Sequence, residues 1–128
     1  DFNEYFEDIK RIFKSANWSA YLKDDEKLKR AFENSLYLLG AFENDKLIAF
    51  IRCVGDGEHI LLIQDLIVDA DYYRQGIGTK LFKVVSEKYK DVRTFCLFTD
   101  IHDVRDNEFY KSVEMVKIEE KDTISYIR

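Results

Sequence analysis

Proline is absent from the 128 residues of this sequence, which also contains no internal repeat and no low-complexity tract. Without such stretches there is no candidate linker between domains. No run reaches the roughly eighteen apolar residues that a membrane-spanning helix needs, and the N-terminal segment DFNEYFEDIKR lacks the apolar core of a signal peptide. We therefore expect one globular domain, residues 1–128, in the cytoplasm. The chain has no initiator Met, which is consistent with native residues preceding Asp1.

Cysteine and histidine are scarce, with two residues of each type. Cys53 and Cys96 both lie in apolar runs, and neither belongs to a CxxC motif or a Cys/His cluster. We interpret them as buried core thiols in a reducing cytosol. His59 begins a predicted strand and His102 lies in a predicted loop, so both are expected at the surface. No spacing of potential ligands indicates a metal site, and no metal cofactor is expected.

Charge and hydrophobicity narrow the class of protein. Hydrophobic residues make up 46% and charged residues 35% of the chain, a balance typical of a soluble globular protein. The net charge is -5, which argues against nucleic acid or an anionic membrane as the main partner. A local basic patch that binds an anion remains compatible with this balance.

Hydrophobic periodicity divides the chain into helices and strands. Helical spacing predicts four helices, at residues 3–16, 25–34, 76–89 and 103–113. Strand patterns bounded by turn residues predict four strands, at residues 35–43, 47–55, 59–68 and 92–100. The last of these is almost continuously apolar, which favours burial on both faces. Residues 114–120 and 123–128 are expected to form a closing antiparallel pair around a turn at Lys121 and Asp122.

The stretch YYRQGIGTKLF contains two of the five glycines, Gly76 and Gly78, between a predicted strand and a predicted helix. The backbone N–H groups of about residues 74–79 would be the unpaired donors of a helix N-terminus, where the helix dipole favours an anion. Arg74 adds a charge and Thr79 a hydroxyl. This pattern favours a pyrophosphate site. The alternative is an ordinary turn whose glycines serve only to allow a positive φ.

Two common phosphate-binding motifs do not fit this stretch. A P-loop requires Gly-Lys-Ser/Thr, which is absent. A dinucleotide-binding fingerprint requires a third glycine, and Leu81 stands at that position. Neither motif therefore accounts for the two glycines.

The segment LIVDADYYRQGIGTKLF resembles the acetyl-CoA-binding motif of the GNAT superfamily of N-acetyltransferases, written [R/Q]-x-x-G-x-[G/A], which lies between a long bulged strand and a helix. The segment NEFYKSVEM resembles the second signature of that family. The order of elements is also similar, except that the family's first strand is not evident. The resemblance implies an α+β, three-layer GNAT fold with a mixed central sheet flanked by helices.

The sequence departs from the family motifs at three positions. Tyr73 stands at the first motif position, which is usually Arg or Gln. Glu114 and Met115 replace the Gly and Phe that usually follow the second signature. A glycine there normally adopts a left-handed conformation at the end of a helix, and Glu would be strained in it. We therefore expect this turn to be built differently.

The resemblance implies acetyl-CoA as the co-substrate and assigns residues to it. A bulge on the long strand would free a backbone N–H for the thioester carbonyl, and the backbone of Leu66, Ile67 and Val68 would pair with the pantetheine arm. The pyrophosphate-binding loop would comprise the following residues: Arg74, Gln75, Gly76, Ile77, Gly78 and Thr79. Tyr110 is implied as the general acid for the departing thiolate, since a phenol with a pKa near 10 stays protonated at neutral pH. The alternative is a core tyrosine beside Phe109.

The acceptor site is expected around the break between the first two helices. Trp18 and Tyr21 are implied as its wall, with the alternative that Trp18 fills the core. Alternation along the long strand puts Gln64 and Leu66 on the face toward the acceptor and Asp65 on the other face, unless the bulge turns it. Gln64 cannot act as a base, so no general base is identified, and a bound water would serve instead.

The expected function is transfer of an acetyl group from acetyl-CoA to a primary amine, carried by a small molecule or a peptide, by direct attack in a ternary complex. Oligomeric state is left open, including a homodimer. One alternative is a non-catalytic acyl-CoA-binding or regulatory domain, which the change at Glu114 and the missing base favour. Another is an interaction module that no longer binds CoA, against which Gly76, Gly78 and Thr79 argue.

Overall fold

The computed structural model describes all 128 residues and divides them into two compact units, residues 1–97 and 98–128. The first unit contains α1 (Phe6–Ser15), α2 (Asp25–Glu33), β1 (Tyr37–Glu43), β2 (Lys46–Gly55), β3 (Ile60–Val68), α3 (Ile77–Lys88) and β4 (Thr94–Leu97). The second contains α4 (Val104–Ser112). Short 3-10 turns lie at Phe2–Tyr5, Ser19–Lys23, Ala70–Tyr72 and Ile118–Lys121. No helix is long and apolar enough to cross a membrane.

The four strands form one mixed sheet in the order β1-β2-β3-β4. The first three strands are antiparallel neighbours, and β4 runs parallel to β3. Helices α1 and α2 cover one face of the sheet and α3 covers the other, so the first unit has three layers. This arrangement confirms the predicted α+β fold with a mixed central sheet. No strand precedes α1.

Aromatic side chains dominate the core between the sheet and helices α1 and α2. Phe6, Ile9 and Phe13 share one face of α1 because they recur at helical spacing, and all three are buried. The Phe13 ring packs edge-on against the Phe50 ring of β2, with centroids 5.4 Å apart. Phe32 of α2 packs against the same ring, at 5.8 Å. This cluster fixes α1, and with it the residues that follow α1, above the sheet.

The prediction of a closing antiparallel pair at the C-terminus is wrong. In the second unit, residues 114–128 contain a single 3-10 turn and no strand. The side chains that produced the alternating pattern, Ile124 and Tyr126, are exposed, and so is Ile127. Alternation specifies a strand only where a surface covers its apolar face, and an isolated two-stranded hairpin is marginal in water.

The predicted strand at residues 92–100 is shorter and less buried than its composition suggests. It forms only Thr94–Leu97, because it pairs with β3 over four residues, Ile60–Ile63. Cys96 is therefore half-buried rather than a core thiol, whereas Cys53 on β2 is fully buried as predicted. Burial raises the pKa of the Cys53 thiol to about 12.

The turn after α4 is built on a left-handed Glu114, contrary to the prediction that glutamate would avoid this conformation. Glu114 has a φ of 67°. Its N–H donates to the carbonyl of Lys111 at 3.0 Å, and the N–H of Met115 donates to the carbonyl of Tyr110 at 3.0 Å. These two bonds form a Schellman motif, the turn that normally requires glycine. They offset the strain of a non-glycine residue at this position.

We expect Glu114→Gly to stabilise the fold by about 0.5–1 kcal/mol. A left-handed residue with a side chain costs about 1–2 kcal/mol, which exceeds the extra unfolded-state entropy of glycine, about 0.4–1 kcal/mol. Urea unfolding measures the difference. Glu108→Gly, at an exposed interior position of α4, is the matched control and should destabilise by about 1 kcal/mol. Destabilisation by Glu114→Gly would contradict the strain argument.

Candidate active site

The loop before α3 presents a row of unsatisfied backbone donors. Gly76 caps α3 with a φ of 75°, and Arg74 is also left-handed, with a φ of 67°. The N–H groups of residues 74–76 donate none of the backbone hydrogen bonds of the turns and loops. Those of residues 77–79 lie in the first turn of α3, where no preceding helical carbonyl is available to them. A Cβ built on Gly76 would meet no atom within 4 Å, so the space above the loop is open. These features fit a pyrophosphate at the N-terminus of a twelve-residue helix.

The conformation of Gly78 favours a ligand site over an ordinary turn. Gly76 needs its positive φ, but Gly78 lies inside the first turn of α3 and has no positive φ. Glycine in a helix costs up to about 1 kcal/mol relative to alanine, so backbone geometry gives no reason for it here. Close approach of a ligand to the backbone does give a reason.

A buried carboxylate anchors the start of this loop, and sequence reasoning missed it. Asp69 follows β3 directly and is 4% exposed. One carboxylate oxygen accepts from the N–H of Asp71 at 3.0 Å, and the other accepts from the Arg11 guanidinium of α1. The N–H of Asp69 donates to the Ile48 carbonyl of β2 at 2.8 Å. The signal available in the sequence was an acidic residue immediately after an apolar strand.

The far half of β3 has an unpaired edge. β4 pairs only with Ile60–Ile63, whereas β2 pairs with β3 as far as Val68. Leu66, Ile67 and Val68 therefore have no strand partner on the β4 side. The side chain of Ile67 is buried against α1 and α2, so this residue offers its backbone there. The backbone role that the resemblance implies for these three residues stays a prediction, and an unpaired edge is what that role would require.

A β-bulge lies at Gln64, four residues before the end of β3. Arg52 of β2 pairs with Asp65, but the next residue, Cys53, pairs with Ile63, so Gln64 has no partner on β2. In such a bulge two successive side chains turn to similar sides of the sheet. The Gln64 amide donates to the Tyr21 hydroxyl at 3.1 Å, on the same face as Asp65.

The bulge corrects the prediction based on strict alternation. Asp65 shares the α1/α2 face with Gln64, instead of facing away from it. Leu66, paired with Ile51, lies on the opposite face, which α3 covers. Alternation fails here because a bulge inserts one extra residue into the period of two.

Asp65 forms a buried ion pair with Arg52. Arg52 Nε lies 2.6 Å from Asp65 Oδ2, and both side chains are at most 5% exposed. The Arg52 guanidinium also donates to the carbonyl of Ala31 at 3.3 Å and to the hydroxyl of Ser35 at 3.4 Å. It lies over the Phe32 ring, 5.0 Å from its centre. The cation is thus well satisfied by α2 and β3 together.

The second oxygen of Asp65 has no such partner. Asp65 Oδ1 is buried and accepts no hydrogen bond of ordinary geometry. Burial raises the pKa of the Asp65 carboxyl, and the neighbouring Arg52 charge and Tyr21 hydroxyl oppose that rise. Tyr21 thus influences the Asp65 carboxyl without making a hydrogen bond of regular geometry to Oδ1.

Trp18 and Tyr21 form an aromatic wall on the α1 side of the bulge. Trp18 follows a left-handed Asn17, and its N–H donates to the Phe13 carbonyl at 2.9 Å, which closes α1 with a Schellman motif. Its ring stacks on Phe13 with centroids 6.3 Å apart, and Tyr21 packs on Phe13 at 4.9 Å. Both wall residues are half-buried. Trp18 therefore lies on the core rather than within it, and the structure brings Trp18, Tyr21 and Gln64 together.

Tyr110 belongs to the second unit, near the end of α4. It is half-buried, and its ring packs edge-on against Phe109 with centroids 5.0 Å apart. Its role as an acid stays a prediction. His59 and His102 are exposed, as predicted. The structure contains no group of three or more His, Cys, Asp or Glu side chains placed to hold a metal ion.

Comparison with known proteins decides the family. A model described as the acetyltransferase (GNAT) family matches residues 2–114, most of the chain. This chain belongs to the GNAT family of acetyltransferases. The two glycines, the unpaired edge and the bulge therefore lie in the part of the chain that carries the GNAT match.

Individual GNAT relatives agree with this assignment. An "uncharacterized N-acetyltransferase ycf52" from Gracilaria tenuistipitata var. liui is 29% identical over 123 residues, 90% of this chain. The chain spans 65% of that relative's length. The GNAT family protein SP0256 from Streptococcus pneumoniae TIGR4 superposes with a TM-score of 0.82 at 30% identity, over 96% of this chain and 89% of that one.

A second solved structure shares the GNAT fold and was determined with coenzyme A. It is the PaiA N-acetyltransferase from Thermoplasma acidophilum, with a TM-score of 0.63 and 19% identity over 86% of this chain and 82% of that one. At this identity the likeness shows the fold alone.

Proposed function

We propose that this protein is an N-acetyltransferase that moves the acetyl group of acetyl-CoA to a primary amine by direct attack in a ternary complex. The observation that carries the proposal is the open row of unsatisfied N–H groups at residues 74–79. This row follows, along the chain, the unpaired edge of β3. Together they offer an anion site for the pyrophosphate and a strand edge for the amide groups of the pantetheine arm.

The loop residues take separate parts in this proposal. The backbone of Gln75, Gly76, Ile77 and Gly78 supplies N–H donors to the pyrophosphate. Arg74 is exposed and adds a positive charge. Thr79 adds a hydroxyl donor to the same anion. Because backbone N–H groups and the Arg74 charge contact the pyrophosphate in this proposal, the affinity for acetyl-CoA should fall as the salt concentration rises.

The aromatic wall supports an amine as the acceptor. A primary amine is a cation at neutral pH, and cations bind favourably over the faces of Trp and Tyr rings. Trp18 and Tyr21 are half-buried next to the bulge, and Gln64 is hydrogen-bonded to Tyr21. The net charge of -5 favours a cationic acceptor as well.

Two measurements test the proposed function. Acetyl-CoA should raise the melting temperature of the protein, and a screen of primary amines should include at least one that releases free CoA thiol. Binding without thiol release on any amine would favour the alternative, a non-catalytic acyl-CoA-binding domain. Failure to bind acetyl-CoA would overturn both.

Tyr110→Phe should lower kcat by about 10- to 100-fold, toward the low end of a general-acid contribution, while the Kd for acetyl-CoA stays unchanged. The reason is that phenylalanine keeps the ring but cannot donate a proton to the departing thiolate. Tyr126→Phe is the control, since Tyr126 is 90% exposed in the same unit. An unchanged kcat in Tyr110→Phe, measured where chemistry limits turnover, would remove Tyr110 from the mechanism.

A further inference from the structure

Asp65 Oδ1 is the single buried side-chain nitrogen or oxygen in the structure that lacks a hydrogen-bond partner. Its side chain is 0% exposed, and it points to the α1/α2 face because of the bulge at Gln64. A buried carboxylate oxygen without a donor is costly. This oxygen lies next to the unpaired edge of β3, and the groups around it indicate a functional reason for its position.

The Tyr21 hydroxyl lies on the same face of the sheet as Asp65, because it is hydrogen-bonded to Gln64 at the bulge. It also lowers the pKa of the Asp65 carboxyl. The Gln64 amide donates to the Tyr21 hydroxyl oxygen, so the Tyr21 proton is free to point toward Asp65. A phenol oxygen also accepts from a second donor. Tyr21 is half-buried, so part of its side chain is open to an acceptor amine.

We propose that Tyr21 and Asp65 form a proton relay for the acceptor amine, an inference that rests on the proposed function. The ammonium proton moves to the Tyr21 oxygen while the Tyr21 proton moves to Asp65 Oδ1. The amine keeps its electron pair and attacks, so the C–N bond forms and the C–S bond breaks. The second N–H proton lost by the amine balances the proton taken up by the thiolate. Asp65 then returns its proton through Tyr21 to water, and one proton is released per turnover.

The surroundings of Asp65 suit this role. Arg52 on β2 occupies Oδ2 and holds the carboxylate in place, which leaves Oδ1 as the accepting atom. Burial raises the pKa of the Asp65 carboxyl, so it accepts a proton more readily than an exposed aspartate. The titratable groups that face it are Arg52 and Tyr21. From α2 come only the neutral Ala31 carbonyl and, just beyond the helix, the Ser35 hydroxyl, both of which bind Arg52.

The test compares pH profiles of kcat/KM for the parent, Tyr21→Phe and the control Tyr5→Phe, a second half-buried tyrosine on the same core. With an acceptor of pKa about 10, Tyr21→Phe should lose about 100-fold at neutral pH. The loss should shrink to a few-fold near pH 10, where about half of the amine is already neutral. Tyr5→Phe should match the parent throughout. A loss in Tyr21→Phe that is the same at every pH would assign Tyr21 to binding and overturn the relay.

A second readout does not depend on turnover. NMR titration of the Asp65 carboxyl carbon should give a higher pKa in Tyr21→Phe than in the parent, since the Tyr21 hydroxyl lowers it. An unchanged pKa would overturn the link between the two residues. If the parent binds acetyl-CoA but acetylates no amine, the proposed function and the relay both fail. If the parent is active and Tyr21→Phe is equally active, only the relay fails.

Discussion

Asp65→Ala should destabilise the protein by about 3–5 kcal/mol, because removal of one partner leaves the buried charge of the other without compensation. Arg52 would then lie beneath α2 with neutral partners only. Arg52→Ala should cost a similar amount for the converse reason. Urea unfolding of each variant, monitored by circular dichroism, gives the free energy of unfolding directly.

The double variant Arg52→Met, Asp65→Leu sharpens this prediction. Replacing a buried ion pair by apolar residues of similar volume is often neutral or stabilising, so the double variant should be far more stable than either single one. Glu87→Ala serves as a control, since the pair of Glu87 and Lys90 is exposed and contributes little. Single-variant costs below about 1 kcal/mol would mean that the pair is solvated and not buried.

Gly78→Asp should abolish acetyl-CoA binding without harming the fold. With a Kd of about 10 μM and about 1 mM ligand, acetyl-CoA should stabilise the parent by about 2.7 kcal/mol, and the variant should lose that whole increment. An aspartate in the first turn of a helix is favourable for the helix itself. The loss therefore reports repulsion of the pyrophosphate by the new carboxylate, and thermal shift with and without acetyl-CoA measures it.

Gly78→Ala separates size from charge at the same position. Alanine should stabilise the unliganded protein by up to about 1 kcal/mol through its helix propensity, while its methyl group weakens acetyl-CoA binding less than the carboxylate does. A Gly78→Asp variant that binds as tightly as the parent would place the pyrophosphate elsewhere.

The glycine turn between β3 and α3 can be predicted from the sequence because its determinants are local. An apolar strand, two glycines and a helical period follow one another in a single stretch, residues 60–88, and each has a direct conformational meaning. Gly76 adopts the positive φ that such a turn requires. The mixed sheet follows from the same kind of pattern, since its strands are bounded by turn residues.

The region around the bulge depends on contacts that the sequence does not reveal. The bulge at Gln64 comes from the register between β2 and β3, and one extra residue reverses which side chains share a face. Arg11 meets Asp69 although 58 positions separate them. At the C-terminus the sequence contains a clear signal that the structure does not follow. Ile124 and Tyr126 alternate with polar residues, but they do not form a strand.

The ion pair between Arg52 and Asp65 also has a consequence for how the sheet assembles. If β3 slid by one residue along β2, Asp65 would turn to the α3 face and Arg52 would stand opposite an uncharged neighbour. That alternative alignment would bury two separate charges, at a cost of several kcal/mol for each. The correct alignment buries them together and puts Gln64 out of register. The two charges therefore also select one alignment of β2 and β3, and that alignment sets where the bulge forms.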